Sequence, residues 1–158
     1  MIAFRRGRER SSDVNDPHDL QRFVDAQDAV YDRVLAELRA GRKTSHWMWF
    51  VFPQIAGLGS TSMAQRFAIA SLEEARAYLA HEVLGPRLHE CTRLLMNIQG
   101  ETISQILGSP DDLKFRSCMT LFAKVARSPE PFDAALEKFF DSEPDPKTLE
   151  RLGALSAG

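Results

Sequence analysis

Only two cysteines, Cys91 and Cys118, occur in the 158 residues, and neither stands in a CxxC or zinc-finger spacing. That scarcity excludes a disulfide framework and fits a reducing compartment. Long apolar runs are missing too. The longest, residues 47–52, is far short of the ~20 residues of a membrane-crossing helix. The first ten residues lack the apolar stretch and small-residue cleavage site of a signal peptide, so a cytoplasmic protein with no membrane partner is expected. An excess of charge is also absent. Arg5, Arg6, Arg8 and Arg10 against Glu9 give the first ten residues three net positive charges, and with a whole-chain charge of −2 the remainder carries −5. A mildly acidic body lacks the clustered cations of a nucleic-acid surface. Nor is there a Walker loop, a GxGxxG fingerprint, a GxSxG elbow or an HExxH pair, so no cofactor and no metal site is assigned.

What is present is helical punctuation. Asp16-Pro17, Ser109-Pro110, Ser128-Pro129 and Asp145-Pro146 each place a capping oxygen before a proline suited to the first helical position. The first pair precedes Leu20, Phe23, Val24, Val30, Tyr31, Val34, Leu35 and Leu38, an apolar stripe that predicts one helix over about 17–40, ended by Gly41. Ser71 and Glu74 have capping-box spacing, and Gly85-Pro86 is read as the interruption before a helix through Leu88, Cys91, Leu95 and Ile98. A turn over 102–107 follows. Leu113, Cys118, Leu121, Phe122 and Val125, then Phe132, Ala135, Leu136 and Phe139, predict two more core-facing helices, and a short terminal helix follows Pro146. The expectation is an all-α fold, a single compact irregular helical bundle over residues 16–158, with a mobile basic tail at 1–15.

One stretch resists this reading. Residues 45–59, SHWMWFVFPQIAGLG, are apolar and then rich in glycine, with no helical period. They predict a buried, non-helical aromatic segment whose backbone polar groups need outside partners. Gln27, lying on the apolar stripe of the first helix, is a buried amide that likewise needs a partner.

Polar side chains gather around the aromatic segment. His46, flanked by Lys43 and Ser45, is the candidate acid or base. Trp47 and Trp49 could present flat faces to a base or sugar, or serve as core. Gln54, Gly57, Gly59 and Ser62 lead into a helix start whose amides could receive an anion or simply be capped. Lys114 and Ser117 on the later DDLKFRS helix could complete an anion-binding wall; the alternative there is a surface pair of Asp111 with Lys114. Adjacent Ser45 and His46 do not form a hydrolase pair. Cys91 and Cys118 on apolar faces are read as small hydrophobes.

Three strings, KTSHWMWFVFPQIAGLGSTS at 43–62, EARAYLAHEVLGPRL at 74–88 and DDLKFRSCMTLF at 111–122, resemble the bacterial family known as domain of unknown function 1810, over about residues 17–152. The resemblance implies a compact, mainly α-helical fold and no particular activity. Cys118 stands where the family pattern implies serine, which counts against a nucleophilic cysteine. Some relatives bear the label calpastatin, an inhibitor built from disordered polar repeats, and this apolar, capped, non-repetitive chain is the opposite.

Two functions therefore stand side by side. One is a domain, enzymatic or not, that binds a small anionic or nucleotide-like ligand through Lys43, Trp47, Trp49, Gln54, Gly57, Gly59, Ser62, Lys114 and Ser117, with His46 moving a proton if there is a reaction. The other is a non-catalytic protein-interaction or structural module in which the same groups brace the irregular segment. Monomer and homodimer are both compatible with the sequence.

Overall fold

The structure, a computed structural model, describes residues 16–157; the basic tail expected over 1–15 lies outside them. Ten helices occur among the described residues: α1 (Gln21–Asp28), α2 (Tyr31–Ala40), α3 (Met48–Val51), α4 (Ser62–Arg66), α5 (Leu72–Ala80), α6 (Leu84–Met96), α7 (Ile103–Leu107), α8 (Asp111–Val125), α9 (Phe132–Phe140) and α10 (Pro146–Ala157). No helix among these residues is long and apolar enough to cross a membrane.

Punctuation sets some of the boundaries: of the four proline pairs only Asp145-Pro146 caps a helix as expected, and α8 starts at Asp111 with no side-chain cap from Ser109. Asp145 Oδ2 accepts from the N–H and the hydroxyl of Thr148 and so caps α10. Ser71 Oγ caps α5 through the Glu74 N–H, whereas the Glu74 carboxylate reaches the Ala70 N–H and Arg22 rather than completing the box. Asp16 accepts from the N–H groups of Leu20 and Gln21, which moves the helix start from Pro17 to Gln21. Ser128-Pro129 likewise precedes a turn, and α9 begins only at Phe132.

Two expectations about where helices divide also need correction. The single helix over 17–40 is two, because Val30 leaves the helical well (φ −133°) and its N–H bonds to Gln27 O. The apolar stripe runs on across the break because both helices face the same core. Gly85-Pro86 does not separate helices; it lies inside the first turn of α6, where a proline N–H would have no partner to lose. A Cβ on Gly85 would lie 2.2 Å from Leu79 O, so the junction of α5 and α6 requires glycine. The α6 start is held by His81, whose Nδ1 accepts from the Val83 and Leu84 N–H groups.

α8 is the central element: α3, α5, α7, α9 and α10 all pack on it. It is buried on most sides, through Phe115, Cys118, Met119, Leu121 and Phe122, as expected of a core helix. Its buried hydroxyls are satisfied locally, Ser117 and Thr120 donating to the carbonyls of Leu113 and Arg116. Phe115 meets Phe52 edge-on at 5.0 Å, and Phe122 meets Tyr78 at 5.4 Å, joining the aromatic segment and α5 through α8. Leu113 does not face this core. It is two positions, about 200° of helix, from Phe115 and is 53% exposed.

Candidate functional site

The aromatic core of the segment is buried, but it is not wholly non-helical: Met48–Val51 form one helical turn, α3, while His46, Gly57 and Gly59 are exposed. Its backbone is satisfied by two polar residues on α1 and α2. Gln27 donates to Phe50 O at 2.7 Å and to the Tyr78 hydroxyl at 3.1 Å, while its carbonyl accepts from Arg87. Glu37 accepts from the Thr44 and Ser45 N–H groups, the Ser45 hydroxyl and the Trp47 indole. Burial opposes its charge. The hydrogen bonds from Ser45 Oγ, Thr44 N–H, Trp47 and Ser45 N–H outweigh that cost and hold the carboxyl at about 2, below its ordinary 4.5.

This first half of the segment is filled. Trp47 is 1% exposed and offers no face to a ligand. Lys43 Nζ lies over Trp47 and pairs with Asp111 Oδ2 at 2.7 Å. His46 is exposed, and its ring has no hydrogen bond or ion pair among the described residues. His81 serves as a cap and His89 Nδ1 lies 2.8 Å from Gly85 O, so neither joins His46 in a shared site. Among the described residues no group of three or more His, Cys, Asp or Glu is placed to hold a metal ion. Burial pushes the Cys91 thiol up to about 12, with the Tyr31 hydroxyl acting against this and Glu90 adding to it, and burial raises Cys118 well above the ordinary thiol range. Both are therefore thiols at neutral pH.

The second half of the segment opens. Ile55 and Ile69 form a parallel bridge, with Ile69 N donating to Gln54 O and Ala56 N to Ile69 O, both at 2.8 Å. This ties the 54–69 loop at its base. Gly57 has φ +100° and sits beneath the guanidinium of Arg151, whose Nε donates to Ala56 O; a Cβ there would lie 2.7 Å from that nitrogen. The positive φ is what calls for glycine here, since the Arg151 side chain is long enough to swing aside from an added Cβ. Thr61 Oγ1 accepts from Ala64 N, so the α4 start is capped by the chain's own hydroxyl, and Ser62 is exposed beside it.

Two adjoining cavities flank this loop and share Gln54, Gly59 and Ala64. The smaller, about 140 Å³, is walled by Trp49, Ile55, Gly57 and Phe67. The larger, about 530 Å³, runs between the loop, the N-terminal half of α8 and the start of α10. Leu58, Leu113, Pro110 and Pro146 give it an apolar floor, and Lys114, Arg116 and Lys147 stand against one carboxylate, Asp145. These charges differ in freedom. Asp145 is occupied capping α10, and Arg116 donates to the carbonyls of Glu143 and Pro144. Lys114 lies 5.5 Å from the Trp49 ring centre and 3.7 Å from Asp111. Lys147 is exposed and makes no ion pair with a described residue.

Of the sequence-selected residues, the fold therefore gathers Trp49, Gln54, Gly57, Gly59, Lys114 and Ser117 around these cavities, and leaves Lys43 and Trp47 in the interior and His46 and Ser62 exposed but outside the lining of either. Sequence reasoning passed over Leu58, Arg116 and Lys147, and wrongly placed Leu113 on the core-facing stripe. Leu113 carried a usable signal, because its position relative to Phe115 puts it outside the core stripe.

Comparison with known proteins gives a consistent placement. The family model described as protein of unknown function (DUF1810) matches residues 17–152. The crystal structure of the conserved hypothetical protein Rv1873 from Mycobacterium tuberculosis superposes with a TM-score of 0.86 at 56% sequence identity, covering 87% of this chain and 99% of that one. No curated protein matches the sequence.

Proposed function

This chain belongs to the DUF1810 family, whose description names no activity, so function has to be read from the groove itself, and we propose that it is a small-molecule binding domain for an anionic ligand with an apolar or planar body. The observation that carries the reading is the pairing of an exposed leucine, Leu113, with two weakly engaged ammonium groups, Lys114 and Lys147, in one concave surface. An apolar floor with a few orienting polar groups is the usual composition of a ligand pocket. Lysine ammonium groups recruit carboxylate or phosphate as point charges, and their exposure makes that attraction sensitive to salt. His46 does not line the groove, so the reading is of binding, with no proton transfer assigned to it.

The test is a calorimetric and thermal-shift titration with phosphorylated and carboxylated metabolites. Lys114→Ala and Lys147→Ala should each weaken the best anion by about tenfold, the scale of one hydrogen bond to a charged group. Each should change stability by less than about 1 kcal/mol, because exposed pairs contribute little. Affinity should fall as salt rises. Absence of any binding anion, or unchanged affinity in the double variant, would overturn the proposal.

A further inference from the structure

The two cavities meet at Gln54, and the chemistry of that one side chain narrows the ligand. Its backbone is fixed by the Ile69 N–H and by the bridge of Ile55 to Ile69. Its side chain is half-buried, lines both cavities and forms no hydrogen bond with a described residue. A carboxamide presents a donor and an acceptor side by side, a pattern complementary to the N–H and C=O of an amide or lactam. Buried amides are paired with protein or ordered water; this half-buried one, on a backbone already held in place, has no protein partner among the described residues and offers that edge to whatever enters the cavities.

Size supplies the second constraint. The smaller cavity, about 140 Å³, is close to the roughly 150 Å³ of an engineered cavity in another protein that holds benzene, so it has room for one six-membered ring on the side that opens to the larger cavity. Trp49 and Phe67 line it, giving that ring aromatic neighbours. Lys114 supplies the third. Its ammonium lies 5.5 Å from the Trp49 ring centre and lines the larger cavity, so an anion held there is separated from the bound ring by only a short linker.

We infer that the ligand is a single planar six-membered ring with an amide or lactam edge, read by Gln54, joined through a short linker to a phosphate or carboxylate held at Lys114. This rests on the binding function proposed above and specifies the substrate class of the same groove. Pyrimidine nucleoside monophosphates have this chemistry, and a purine would have to leave its second ring outside the smaller cavity.

The experiment is isothermal titration of the full chain with uridine 5′-monophosphate, uridine, ribose 5-phosphate and adenosine 5′-monophosphate. Uridine 5′-monophosphate should bind tightest, by about tenfold over either fragment and over the purine nucleotide. Gln54→Ala should reduce it to the level of ribose 5-phosphate without changing ribose 5-phosphate itself, while Lys114→Ala weakens both. Equal or tighter binding of the purine nucleotide, or an unchanged uridine 5′-monophosphate affinity in Gln54→Ala, overturns the ring assignment. If ribose 5-phosphate or another anion still binds in a Lys114-dependent way, the groove reading stands without the ring; if no anion binds, both fall. Melting curves of Gln54→Ala, expected to match the parent, exclude unfolding as the cause.

Discussion

Glu37 illustrates how a single side chain can hold an irregular segment in place. Four donors converge on its carboxylate, so the folded protein keeps it ionised down to about 2, against about 4.5 when unfolded. A depressed folded value means stability that is present above the unfolded value and is lost as pH falls from about 4.5 toward 2. The contribution is roughly 3 kcal/mol at neutral pH. Glu37→Gln should lower the melting temperature at pH 7, and the gap from the parent should narrow steadily below pH 4.5. Urea unfolding across that range measures it, and a gap independent of pH would refute the role. Gln27, with the parallel task, was legible in the sequence because an amide interrupts an apolar stripe. Glu37 was not, because a carboxylate beside Leu38 reads as the solvated edge of a helix until the 44–47 backbone is folded against it.

At the scale of elements, some caps were readable and helix breaks were not. A cap is one oxygen bonding an N–H a few residues on, so its signal is local, as at Ser71 and Asp145. The turn at Ala29 and Val30 leaves no such mark, since the apolar period continues through it. The Gly85 junction shows the reverse case, a glycine whose meaning lies in the packing of α6 against α5. Gly85→Ala forces a Cβ against Leu79 O and should cost roughly 2 to 3 kcal/mol. Gly153→Ala in α10, where nothing lies within 4 Å of the new Cβ, should instead stabilise by roughly 0.5 to 1 kcal/mol. Thermal unfolding of the two variants distinguishes packing from helix propensity; a tolerated Gly85→Ala would contradict the close approach.

Across the whole molecule, α8 joins both halves of the aromatic segment. It supplies Asp111 and Phe115 to the filled half, and Leu113, Lys114 and Ser117 to the open one. The sequence marked the aromatic segment and the Lys114 helix as the places for chemistry. It could not show which of their residues meet, because more than fifty positions separate Gln54 from Lys114 and only the packing on α8 brings them to one groove. For the same reason Lys43 and Trp47, themselves candidates for the site in the sequence, pack into the interior beside Asp111 and Glu37 instead. The most direct test of the account is an amide NMR titration of the ¹⁵N-labelled chain with the tightest anion from the metabolite panel. Shift changes should concentrate at residues 54–64, 110–117 and 145–147 and disappear in the Lys114→Ala, Lys147→Ala double variant; changes centred on His46, or spread evenly over the chain, would contradict it.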